Sequence, residues 1–135
     1  MGQLIDSSIL IAAERGGHTM QQLARIAPDE PVAIAATTAS ELLTGIHRAK
    51  TEPQRLRREA FVEGVLALLP TLPIDLRVAR THARLWAALE ALGQPIGAHD
   101  LWIAATALTY GYAVCTHNAR DFARVPGLDL RVPAG

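Results

Sequence analysis

The chain has 135 residues, half of them hydrophobic, and a formal net charge of zero at pH 7. That length suits one α/β-sized domain with a single core, and the apolar content excludes a disordered chain. The balanced charge gives no compositional sign of a nucleic-acid binder, and the lone Cys115 excludes an intramolecular disulfide.

In chain order, Gln3 to Asp6 reads as a short strand running into a helix at Ile9 to Arg15. The N-terminal apolar run contains Asp6 and has no basic leader, so a signal peptide is not expected. It is also too short to span a membrane. Met1-Gly2 opens like a myristoylation signal, but Asp6 stands where Ser or Thr is needed. Met20 to Ile26 reads as a short helix closed by Pro28. Val32 to Thr37 reads as a strand, and Ala39 to Ala49 as a helix ending at the polar break Thr51 to Pro53.

Gln54 to Leu69 is an amphipathic helix stopped by Pro70, and Leu72 to Ile74 a minimal strand. Leu76 to Leu92 is helical, with Val78, Leu85, Trp86 and Leu89 on one apolar face; Gly93 closes it. Ala98 to Tyr110 is the next helix, with Leu101, Ala104, Ala105 and Leu108 inward and Gly111 at its end. Ala113 to Thr116 is a strand, and Leu128 to Val132 a last one after the Pro126-Gly127 turn. Cys115, in an apolar run, is expected to be a small buried residue.

Short strands alternating with helices imply βαβ crossovers and a parallel sheet covered on both faces. The working crevice of such a sheet lies outside the carboxyl ends of its strands. Asp6 ends the first strand, Glu41 and Asp100 lie in the first turns of their helices, and Asn118 and Asp121 follow the strand at Ala113 to Thr116. All are expected at one sheet edge.

Convergent carboxylates repel one another unless a hard cation sits among them, and oxygen donors suit Mg²⁺ or Mn²⁺. Each acid also has a purely structural reading. Asp6 suits a helix N-cap. Glu41 completes Thr38-Ala-Ser-Glu41, a capping-box pattern. Asp100 near a helix N-terminus is favoured by the helix dipole.

The segments L-I-D-S-S-I-L-I, T-T-A-S-E-L-L-T-G-I, I-G-A-H-D-L-W-I-A-A-T-A-L and T-H-N-A-R-D-F-A-R-V-P-G-L follow one another at separations that match a known family. Through them the chain resembles the PIN-domain ribonucleases over nearly its whole length, most closely the VapC toxins of bacterial toxin–antitoxin pairs. The resemblance implies a single PIN-like domain over residues 1–135: a three-layer α/β sandwich with about five short parallel strands and helices on both faces. It further implies a cytoplasmic, metal-dependent endoribonuclease toxin. Mg²⁺ or Mn²⁺ would be held by Asp6, Asp100 and Glu41, with water attacking phosphorus in line to leave a 5′ phosphate and a 3′ hydroxyl. Ser8 and Thr116 would hydrogen-bond near the scissile phosphate or to the ligand carboxylates. Many family members carry a fourth acid where this chain has Asn118, with Asp121 three residues on; either can fill that position. Implied partners are an RNA such as tRNA or rRNA, a VapB-like antitoxin with an Arg reaching the carboxylates, and a second copy of the chain. The alternative implied by the Asn118 departure is a catalytically weak PIN-fold binding or sequestration module.

Other classes fit less well. A phosphate receiver or haloacid-dehalogenase-type phosphatase needs a well-placed lysine, and the sole lysine, Lys50, follows the second strand; the latter also wants an acid where Ser8 stands. No H-E-x-x-H zinc motif is present. His99 and His117 flank the acids and read as exposed helix-end or loop residues. Trp86 and Trp102 read as core residues, and Tyr110 and Tyr112 are assigned nothing. The most basic stretch, residues 47–58, is either a grip for an RNA backbone or a solvated face neutralised by Glu52, Glu59 and Glu63.

Overall fold

The structure is a computed structural model and describes residues 2–16, 25 and 28–133. Among these, five strands form one sheet: β1 (Gln3–Ile5), β2 (Val32–Ala35), β3 (Thr71–Leu72), β4 (Ala113–Cys115) and β5 (Leu130–Arg131). Their order is β3-β2-β1-β4-β5, and every pairing is parallel. The helices are α1 (Ser7–Arg15), α2 (Ala36–His47), α3 (Glu52–Leu68), α4 (Leu76–Ala91), α5 (Ala98–Tyr110) and the short α6 (Ala119–Phe122).

Strand alternation divides the core into two layers. Successive strand residues point to opposite faces. Leu4, Ala33, Ala35 and Val114 therefore pack with Val78, Leu85 and Leu89 of α4 and with the buried residues of α5. Ile5, Ile34 and Cys115 pack on the other side, with Ile9 and Leu10 of α1, Leu42 and Ile46 of α2, and Val62 and Val65 of α3. The result is the three-layer sandwich with a parallel central sheet that the pattern and the resemblance led us to expect. Each fully buried Leu or Ile contributes about 1.5–3 kcal/mol relative to exposure, so the central Leu4-Ile5 pair, at 0% and 1% exposure, anchors β1 from both faces.

Several local expectations are corrected. α1 starts at Ser7, not Ile9, because the Asp6 side chain accepts the Ser7 amide at 2.8 Å and turns the chain into a helix at once. β2 ends at Ala35 and α2 begins at Ala36, so Thr37 and Thr38 are helical and the Thr38–Glu41 capping box does not form. Ala35 is the cap without a side-chain bond; Thr38 is fully buried, and its hydroxyl has no partner among the described residues. Glu41 lies in the second turn rather than the first. α3 begins at Glu52, ahead of Gln54, because the Thr51 hydroxyl accepts the Gln54 amide at 3.2 Å. β3 falls at Thr71–Leu72, and β5 is confined to Leu130–Arg131. Trp86 is 56% exposed, not core; its indole donates to Glu90 at 2.8 Å, a bond made at the surface of α4. Trp102 is half-buried and stacks on His82, with ring centroids 3.6 Å apart. The helix expected over Met20 to Ile26 lies, but for Arg25, outside the described residues.

Candidate active site at the carboxyl edge of the sheet

β1 and β4 are neighbours although over a hundred residues separate them, so Asp6 and Thr116 meet at the carboxyl edge of the sheet. Chain order reverses there, the usual place for a site in an open parallel sheet. Asp6 is 3% exposed. One carboxylate oxygen accepts the Ser7 amide; the other accepts the Ser8 hydroxyl at 2.9 Å and the Thr116 hydroxyl at 2.8 Å. The proton directions follow from the next contacts out. The His117 amide donates to Ser8 Oγ at 3.2 Å, and the Asn118 amide to Thr116 Oγ1 at 2.8 Å. Both hydroxyl oxygens accept from backbone, which leaves their protons for Asp6.

Glu41 reaches the group through a residue absent from the sequence-based candidates. Ser7 Oγ donates to Glu41 Oε2 at 2.9 Å and lies 3.5 Å from Asp6 Oδ1, so one hydroxyl spans two carboxylates. The sequence held a signal for this, the doubled serine directly after Asp6. His99 Nδ1 lies 3.7 Å from Glu41 Oε1. Among the described residues, His117 contributes its amide to this network and no side-chain hydrogen bond.

On the other side, α5 presents Asp100 in its first turn. Asn118 Nδ2 lies 3.5 Å from both Asp100 Oδ2 and Asp121 Oδ2 and bridges them loosely. Asp121 also faces Arg124 at 3.8 Å. The Asp100 carboxyl is pushed up to about 6, first by burial and then by the charges of Asp6, Asp121 and Glu41, with His99 opposing. Burial, with Asp6 beside it, likewise pushes the Cys115 thiol up to about 11, which keeps it a neutral core residue.

These side chains surround a cleft of about 790 Å³, lined by Asp6, Ser8, Glu41, Asp100 and Asn118 among others. Thr116 is buried beneath it. Ser8 and Thr116, offered by sequence as partners of either phosphate or carboxylate, are both bonded to Asp6. The donor set is all oxygen and anionic, which suits Mg²⁺ or Mn²⁺. Among the described residues no three acidic, His or Cys side chains close into a tight metal cage. Mg²⁺, which retains several waters and takes one or two carboxylates, is compatible with so open an arrangement.

A parallel α/β sandwich with carboxylates gathered at its switch point defines a class of α/β folds with an acidic site, and comparison with known proteins narrows it. The PIN domain family model matches residues 4–128. The chain is 38% identical over 130 residues to Ribonuclease VapC1 of Rickettsia felis, covering 96% of this chain and 95% of that one. Among solved structures, VapBC2 from Rickettsia felis, bound to a DNA fragment from its promoter, superposes with a TM-score of 0.88 over 99% of this chain and all of that one; at 23% identity it speaks for the fold alone. VapBC-5 from Mycobacterium tuberculosis, of the VapBC family of toxin–antitoxin systems, is 33% identical with a TM-score of 0.75, covering 99% and 98% of the two chains. The chain belongs to the PIN-domain family and, within it, to the VapC ribonucleases.

Proposed function

We propose that residues 1–135 form one PIN domain acting as a cytoplasmic endoribonuclease toxin. It hydrolyses RNA phosphodiester bonds with a divalent cation and is held in check by a VapB-like antitoxin. The observation that carries this reading is the convergence of Asp6, Glu41 and Asp100 on one cleft, with Asp100 raised by burial and further by the charges of Asp6, Asp121 and Glu41. Mutual repulsion of that kind is what a bound cation relieves.

Asp6, Glu41 and Asp100 would hold Mg²⁺ or Mn²⁺, which would supply charge to the phosphate oxygens and acidify water for attack. The chain's own residues do the positioning. Ser8 and Thr116 fix the Asp6 carboxylate through hydroxyls whose orientation is set by backbone amides. Ser7 holds Glu41 toward Asp6. Asn118, rather than Asp121, lines the cleft in the fourth position and steadies Asp100; Asp121 adds negative charge that acts on Asp100.

Ribonuclease VapC1 supports the RNA substrate class, and the toxin–antitoxin assignment of VapBC-5 supports an antitoxin partner. An antitoxin Arg entering the cleft would pair with carboxylates that repel one another without it. Association with a second copy is supported by the apolar depression lined by Trp86, Leu89, Pro95 and Ile96, and by exposed Leu76 and Leu92 nearby in the sequence. Among the described residues no helix is long and apolar enough to cross a membrane.

The test is cleavage of a mixed pool of structured RNAs by purified protein with Mg²⁺ or Mn²⁺, against EDTA and against Asp100→Asn. Discrete cuts that vanish with chelation and with the variant are expected. Absence of cuts from folded, antitoxin-free protein across such a pool would turn the reading toward a binding module.

A further inference from the structure

A second depression, of about 560 Å³, adjoins the acidic cleft and has the opposite character. The two share Ile11, Glu41, Gly45 and Arg48 as a common wall. Four arginines, Arg15, Arg48, Arg57 and Arg58, face it, against the two glutamates Glu14 and Glu41. Gln54, Arg57 and Arg58 stand three and four residues apart and form one stripe of α3. Arg55 is off that stripe. It is bound to Glu52 at 2.6 Å and to Glu59 at 2.7 Å. The basic segment is therefore divided: one part is neutralised along its own helix, and another is turned into this second depression.

The stripe is also held in place. Arg58 Nη1 donates to the Gly45 carbonyl at 2.8 Å, linking α3 to α2. Among the described residues no carboxylate lies within ion-pair distance of Arg48, Arg57 or Arg58. At the junction a Cβ on Gly45 would meet no atom within 4 Å, so the common wall is open at that position.

We propose that this groove carries the phosphate backbone of an RNA strand into the acidic cleft, with Arg48 at the junction and Arg57 and Arg58 on phosphates further along. The inference rests on the endoribonuclease reading. A cluster of carboxylates repels a polyanion, so the approach needs fixed positive charge close by, within the screening length of about 8 Å at physiological salt. Guanidinium forks match phosphate oxygens in geometry as well as charge.

The test is binding of a short fluorescein-labelled single-stranded RNA to the full chain in EDTA, by anisotropy across a salt series. Wild type is set against Arg48→Gln, Arg57→Gln, Arg58→Gln and Arg55→Gln, each checked for folding by thermal melting. Each groove variant should weaken binding and flatten the slope of log K against log salt by about 0.7. Arg55→Gln should do neither. Arg57, which makes no side-chain hydrogen bond or ion pair among the described residues, is the cleanest of the set, and in cleavage assays Arg57→Gln should raise KM far more than it lowers kcat. Equal loss in Arg55→Gln and the groove variants would reduce the effect to diffuse charge and overturn the proposal. Wild-type cleavage with unaltered RNA binding in the groove variants would remove the groove and leave the nuclease standing. A protein that neither binds nor cleaves RNA would remove both. Tighter binding of a poly-glutamate peptide than of RNA, lost in the same variants, would make the groove a peptide site instead.

Discussion

The two sides of the acidic cleft are built to different standards. On the β1–β4 side, Asp6 is buried and its carboxylate accepts from one amide and two hydroxyls, each within 2.9 Å. On the α5–α6 side, Asp100 is half-buried, its only side-chain hydrogen-bond partner among the described residues is Asn118 at 3.5 Å, and burial together with three other carboxylates raises it. Asp6 is thus part of what holds the fold together, whereas Asp100 is tolerated by it. One wall of the site is rigid before any ligand arrives, and the other is left to be completed by positive charge.

The contrast breaks most sharply under alanine substitution. Asp6→Ala should abolish RNA cleavage and also destabilise the fold by about 2 kcal/mol, because it removes a helix cap and leaves buried donors unpaired. Asp100→Ala should abolish cleavage while leaving the denaturation midpoint unchanged or higher. Parallel urea melts and cleavage assays check both, and equal destabilisation by the two variants would erase the distinction.

Titration sharpens it. The Asp100 carboxyl sits above its unfolded value of 3.8, at about 6, so the folded state binds more protons between those values. Stability should therefore fall as pH rises from about 4 to 6 through this group, the reverse of a stabilising carboxylate. Melting temperature against pH should show that fall in wild type, and it should shrink in Asp100→Asn. Added Mg²⁺ should raise the wild-type melting temperature above pH 6 and do so less in the variant.

Smaller effects separate the supports of Asp6. Thr116→Val removes a hydroxyl that donates to Asp6 and accepts the Asn118 amide; a loss of about 1–2 kcal/mol is expected, with reduced cleavage. Ser7→Ala frees Glu41 from the Asp6 side and should cost less, about 1 kcal/mol, seen as a modest fall in kcat with the fold intact. A Ser7→Ala loss as large as that of Asp6→Ala would mean that Glu41, not Asp6, is the fixed element.

Some of this was legible in the chain and some was not, for reasons that differ residue by residue. Asp6 was open to two readings, helix cap and site acid, and the structure gives it the cap while also placing it in the cleft. Glu41 drew a capping-box reading because Thr38-Ala-Ser-Glu41 has the right spacing. Local pattern alone does not reveal that β2 runs into α2 without a loop. Trp86 fell on the apolar stripe of α4 by periodicity, but an aromatic at the stripe's margin can lie outward if its indole finds a partner such as Glu90. The four-residue α6 was too short to carry any periodic signal.

By itself the sequence determined the alternation of short strands and longer helices, the parallel sheet they require, the two apolar layers, and the order of the four motifs that mark the family. These depend on spacing within a segment, and spacing is written in the chain. Only the tertiary structure decided which groups meet. The strand order β3-β2-β1-β4-β5 sets Asp6 beside Thr116, 110 residues away. The packing of α3 against α2 turns Arg58 toward Gly45 while Arg55 pairs along its own helix. Contacts between distant segments depend on sheet order and helix packing, and no local propensity encodes them.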